Sequence, residues 1–236
     1  MRPGLAVLIA FLALPTFGAR AQAPAVDLLL VLAVDASGSV NRERFELQKH
    51  GYAEAFRDPR VFEAITAGSR HTIAVTMVQW TGPRLHAQTV DWMHVSDAAS
   101  AATLADAIDQ SARRLFGGGT SLSGAIDYSM ELLIASPIKA ARRVIDVSGD
   151  GSNNGGRPAS DARDAAVKAG VTINGLPIAW IEPDLASYYR DNVIGGFGAF
   201  VVGIDSYDNF ADAIINKLVT EIAGTTPPRL ASTDPR

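Results

Sequence analysis

Asp27-Leu28-Leu29-Leu30-Val31-Leu32-Ala33-Val34-Asp35-Ala36-Ser37-Gly38-Ser39-Val40 sets the architecture of this chain. The apolar run from Leu28 to Val34 has strand length and is rich in leucine and valine, so it reads as a strand buried on both faces. It ends abruptly in Asp35, and Ser37 and Ser39 follow at steps of two. Open α/β sheets place their ligands at the carboxyl ends of their strands. An acid and two hydroxyls at such an end are oxygen ligands of the kind a hard cation such as Mg²⁺ takes. Short Ser/Gly turns after strands are common, so the reading depends on what other strand ends supply.

Downstream, residues 41–56 read as an amphipathic helix with Phe45, Tyr52 and Phe56 on one face. Asp58-Pro59 breaks it, and 60–65 read as one more turn. Residues 71–80 form a predicted strand, and 85–92 pair back across the turn at 81–84 as a hairpin. That second strand is more polar, which places it at the sheet edge. Helices are predicted over 100–115, with Leu104, Ile108 and Leu115 inward, and over 122–134. A strand over 142–148 is closed by Gly149-Asp150-Gly151 and followed by a polar loop over 152–158. A helix over 160–169, a strand over 171–178, a short helix over 184–192, a last strand over 199–204 and a final helix over 207–222 complete the order. Strands alternating with helices predict a doubly wound α/β fold: a mostly parallel sheet, one antiparallel edge strand, and helices on both faces. No repeat and no long linker divides residues 27–223, so they read as one domain.

Upstream, Met1-Arg2, an apolar run over 5–14 and Ala19-Arg20-Ala21 match a signal peptide over 1–21. The run is too short for a stable membrane anchor. Cleavage would leave Gln22 as the new terminus and 22–26 as a lead segment. Residues 224–236, with Pro227-Pro228 and Pro235, read as a disordered tail. The chain has 236 residues, no cysteine and a formal net charge of −4. Its stability therefore rests on its core rather than on disulfides, and its charge argues against a nucleic-acid partner.

Three strand-end segments converge in this fold. Asp35, Ser37 and Ser39 follow the first strand, Thr120 sits in Gly117-Gly118-Gly119-Thr120-Ser121 before a helix, and Asp150 closes the strand over 142–148. Carboxyl strand ends and helix-start loops share one edge of a doubly wound sheet. Two carboxylates and three hydroxyls are thereby brought together. The residues alone leave a plainer alternative, in which Ser37 and Ser39 cap the helix at Asn41 and Thr120 or Ser121 caps the next one.

With these segments in this order, the chain resembles the von Willebrand factor A domain, as in integrin I domains, from about Val26 to Ala223. The resemblance implies a metal-ion-dependent adhesion site. In it Ser37, Ser39 and Thr120 bind the ion directly or nearly so, and Asp35 and Asp150 hold it largely through waters. Mg²⁺ is the implied ion, with Mn²⁺ or Ca²⁺ as substitutes, and the implied partner is a protein that offers an acidic side chain. Gly149 departs from the pattern, since the family usually has Thr before this Asp. The chain also resembles an uncharacterised family of exported bacterial proteins built on this domain. Together with the leader, this reads as a periplasmic or secreted bacterial protein without a stable membrane span after cleavage.

The expected function is a non-catalytic, metal-dependent protein- or peptide-binding module. A metal-assisted hydrolase on the same site and a structural subunit of an envelope complex are the alternatives. Hydrolysis needs a positioned base; His50, His71, His86 and His94 are scattered, and no G-x-S-x-G or phosphate-loop Lys appears. Asp146 shares the side parity of Asp150 but lies about 13 Å back along the strand. It therefore calls for a buried partner, with arginine or histidine expected.

Overall fold

The computed structural model describes residues 25–224. The leader, the start of the lead segment and the tail beyond 224 lie outside the described residues. Strand β1 (Val26–Asp35) is central in a five-stranded sheet. It pairs in parallel with β2 (Ile73–Trp80) on one side and β4 (Ala140–Gly149) on the other. Strand β5 (Thr172–Pro177) extends the parallel set beside β4. Strand β3 (His86–Val95) is the antiparallel edge beside β2, with register shifts between Val75 and Val78.

Alternation along β1 explains why the run is apolar throughout. Leu28, Leu30, Leu32 and Val34 pack on one face against α1 (Arg42–Arg57), α3 (Ala98–Gln110) and α7 (Phe210–Ala223). Leu29, Val31 and Ala33 pack on the other against α4 (Leu122–Ala135), α5 (Ala159–Lys168) and α6 (Leu185–Asn192). Each fully buried side chain of this size contributes about 1.5–3 kcal/mol. The helices start on local signals: Asn41 caps α1, Asp58 with Pro59 starts α2 (Pro59–Thr66), and Asp97 forms a capping box with Ser100 on α3. Helix α2 thus runs longer than the single turn expected. A 3₁₀ turn, Tyr207–Asn209, leads into α7.

Three expectations are corrected. The helix predicted over 100–115 ends at Gln110, because buried Gln79 takes over the backbone beyond it. Its amide accepts from Arg114 N at 2.7 Å and donates to Ala112 O at 2.9 Å. The strand predicted over 199–204 is reduced to bridges at Gly175–Val201 and Ile178–Ile204. Pro177 between them has no N–H to donate, and Asn174 Oδ1 accepts from Phe200 N at 3.0 Å.

The third correction concerns Asp146, whose partner is Lys217 of α7 rather than arginine or histidine. The ammonium lies 2.6 Å from Asp146 Oδ1 and 3.1 Å from Glu221 Oε1, with all three side chains buried. Asn174 Nδ2 donates to the same Glu221 oxygen at 2.6 Å. Burial pushes the Asp146 carboxyl up to about 7, with Lys217 opposing. Burial acts to lower the Lys217 pKa, but the two carboxylates outweigh it and hold the ammonium above its usual range.

Candidate metal centre

Strand β1 delivers Asp35 to the carboxyl edge fully buried. Its Oδ1 accepts from Ser37 N at 2.7 Å and its Oδ2 from Asp150 N at 3.3 Å. The Asp35 carbonyl accepts from Gln48 Nε2 at 3.2 Å, and Gln48 Oε1 accepts from Ser148 Oγ at 3.1 Å. Helix α1 thereby ties the ends of β1 and β4 together.

Ser37 Oγ and Ser39 Oγ lie 3.2 Å apart, and Ser39 Oγ donates to Asp150 Oδ1 at 2.5 Å. Neither serine caps α1, whose cap is Asn41. Thr120 does not cap α4 either; Ser121 does, accepting from Gly124 N at 3.1 Å. Thr120 is 6% exposed and stands next to Gly151, where an added Cβ would lie 3.4 Å from its Oγ1. Among the described residues its hydroxyl makes no hydrogen bond to the other four. Its loop reaches them through Gly118, whose carbonyl accepts from Gly38 N at 3.1 Å. Gly118 has φ +97°, in a region L side chains avoid, so glycine is needed at this contact.

The structure therefore gathers Asp35, Ser37, Ser39 and Asp150 into one hydrogen-bonded cluster, with Thr120 at its margin. Burial, reinforced by the charge of Asp150, pushes the Asp35 carboxyl up to about 7. Two close, buried carboxylates are relieved by a proton on one of them or by a cation between them. Among the described residues no three His, Asp or Glu side chains gather into a ligand group. A cation here would thus depend on the hydroxyls to complete its shell. The donor set is all oxygen and fits a hard divalent ion.

Several supporting residues gave no signal in the sequence. Tyr207 OH donates to Asp150 Oδ2 at 2.9 Å. Asn154 braces Thr120 through its Oδ1, which accepts from Thr120 N at 2.8 Å, and through its N, which donates to Thr120 O at 2.8 Å. Glu182 accepts from Ser152 N at 3.1 Å. Arg113 Nη2 donates to the carbonyls of Ala36 and Val40 at 3.0 and 2.8 Å and so braces the serine loop. Arg44 Nη1 donates to Ser39 O at 2.8 Å while its guanidinium lies over the rings of Trp180 and Tyr207.

A family model described as "Protein of unknown function (DUF1194)" matches residues 25–226. The chain belongs to this family. Among solved structures it is similar to a von Willebrand factor type A protein from Catenulispora acidiphila, with a TM-score of 0.61 and 15% identity over 84% of this chain and 43% of that one. It is similar to proximal thread matrix protein 1 of the mussel byssus, whose MIDAS motif is occupied by zinc, with a TM-score of 0.58 and 17% identity over 84% of this chain and 46% of that one. It is also similar to the pilus adhesin SpaC of Lactobacillus rhamnosus GG, with a TM-score of 0.60 and 15% identity over 86% of this chain and 31% of that one. The chain thus spans less than half the length of each of these proteins. Its fold is that of the von Willebrand factor A domain. No curated protein sequence matches it.

Proposed function

We propose that this family member is an exported, metal-dependent protein-binding module built on residues 27–223. Asp35, Ser37, Ser39, Thr120 and Asp150 hold a divalent ion, and a partner protein reaches it with an acidic side chain. The observation that carries this reading is the meeting of buried Asp35, Ser37 and Asp150 with half-buried Ser39 in one cluster drawn from two strand ends. The zinc-occupied motif of the mussel protein supports a divalent ion on this fold. When bound, the ion supplies Lewis acidity. Mg²⁺ suits the set because it keeps several waters and needs few protein carboxylates. The hydroxyls of Ser37, Ser39 and Thr120 would be neutral ligands that leave the ion's charge available, and Asp35 and Asp150 would supply the balancing negative charge.

The surroundings support a protein partner. Leu85, Phe116, Trp180 and Ile181 are 52–76% exposed. They sit on loops at the carboxyl edge. Leu85 lies beside Gly118, Phe116 lies against Arg113, and Trp180 lies against Arg44, which holds the serine loop.

Calorimetric titration with MgCl₂ tests the site. Wild type binds and its melting temperature rises, by the equivalent of about 2.7 kcal/mol at a hundredfold excess over Kd, whereas Asp35→Ala shows neither effect. Failure of wild type to take up Mg²⁺ or Mn²⁺ rejects the reading. Export is tested separately, by the intact mass of protein recovered outside the cytoplasm. The expected mass begins at Gln22, and a mass that retains residues 1–21 rejects cleavage.

A further inference from the structure

The geometry points to Tyr189 and Tyr207 as positioning residues of the candidate metal centre, one phenol behind each carboxylate. The inference rests on the metal reading above and adds a supporting shell that neither the family match nor the neighbouring structures assign.

Tyr207 stands on the turn that leads into α7 and is 4% exposed. Its hydroxyl donates to Asp150 Oδ2 at 2.9 Å, while Ser39 Oγ donates to Oδ1. With each oxygen held from a different element, the Asp150 carboxylate cannot turn about its Cβ–Cγ bond without losing a bond. The phenol ring is held in turn by the Arg44 guanidinium, 5.7 Å from its centroid, and Arg44 also bonds Ser39 O. Asp150, Ser39 and Tyr207 are thus fixed as one unit.

Tyr189, on α6, is fully buried and lies in a slot that two glycines open on the sheet. A Cβ on Gly175 would fall 2.6 Å from its Cδ1. A Cβ on Gly149 would fall 2.9 Å from its hydroxyl and 2.9 Å from Asp35 Oδ2. The hydroxyl and the outer oxygen of Asp35 therefore border the same small space, the one a side chain at 149 would fill. Gly149, the departure from the family pattern, is what admits the phenol. Among the described residues the Tyr189 hydroxyl has no hydrogen-bond partner. A buried donor left unmade is costly, and Asp35 Oδ2 is the acceptor it borders, directly or across one water. Outer donors of this kind fix the orientation of ligating groups and tune the bound ion.

The test uses the purified full chain, with MgCl₂ as the only ligand. Tyr189→Phe, Tyr207→Phe and the double variant keep the rings and lose only the hydroxyls. Each single change is expected to weaken Mg²⁺ binding about 10- to 100-fold. Mg²⁺ should also perturb tyrosine absorption in wild type, less in each single variant and not at all in the double. A phenol that merely packs would not give that signature. Wild-type affinity and difference absorption in the Phe variants, with binding lost in Asp35→Ala, overturns the positioning role and leaves the metal site standing. No Mg²⁺ uptake by wild type overturns the metal site itself. If a Phe variant does not fold, the wild-type spectrum decides, because Mg²⁺ binding without a tyrosine perturbation overturns the proposal.

Discussion

Asp35 is the residue on which the proposed metal site turns, and its protonation has a definite sign. Its carboxyl rests at about 7 in the folded chain against an ordinary 3.8, through burial and then the charge of Asp150. Without metal the folded protein keeps a proton that the unfolded chain releases above pH 4. Stability must then fall as pH rises from about 4 to about 7 and level off beyond, an effect of a few kcal/mol. Thermal melts in chelator should show this decline, and Asp35→Asn should flatten part of it. Asp146, whose carboxyl burial also raises, acts in the same direction. Saturating Mg²⁺ should cancel the Asp35 share only, because the charge of the ion favours the ionised carboxylate. A metal-free melting temperature that climbs from pH 4 to 7 would contradict the assignment. That Asp35, Ser37, Ser39 and Asp150 meet was legible in the sequence because they follow apolar runs at strand ends. Tyr189 and Tyr207 were not, since each lies in a helical stretch and only the tertiary fold brings the Tyr207 hydroxyl to Asp150 and the Tyr189 hydroxyl to the space beside Asp35.

At the scale of elements, α7 is joined to the sheet by a buried charge. Lys217 holds Asp146 of β4 and Glu221 of its own helix, with no exposure of any of the three above 2%. Removing one partner of a buried set strands the others, at a cost of about 3–5 kcal/mol. Lys217→Met should lower the melting temperature strongly, and adding Asp146→Asn and Glu221→Gln to it should restore much of the loss. A mild effect of Lys217→Met alone, read by denaturant titration, would show that the set is hydrated or already neutral. The two misread elements share one cause. Leu115 continues the apolar spacing of α3, and 199–204 is apolar enough for a strand. In each case a buried amide, Gln79 or Asn174, captures backbone groups that regular structure would have used. Such captures depend on residues far away in sequence, so local pattern cannot reveal them. Strand β1, by contrast, was readable because both of its faces are buried, which left the run no polar interruption.

Across the whole molecule, the candidate ligand cluster sits at the carboxyl edge of the sheet, while Lys217 and Glu221 of α7 meet Asp146 of β4 between helix and sheet. The lateral margins of the sheet differ from each other. On the β5 side, the 199–204 segment occupies the ladder at intervals. On the other side β3 is the last strand among the described residues, ten residues long and without proline. Its outward N–H and C=O groups are a template on which a second chain can add a strand. Two features guard it: the register shifts beside Val75 and Met77, which twist the margin, and Asp91, the only carboxylate on the strand. Colloidal behaviour should therefore be separable from thermal stability. Asp91→Val should leave the melting temperature nearly unchanged while light scattering grows with protein concentration. If scattering stays at the wild-type level, the twist alone keeps these molecules apart in solution.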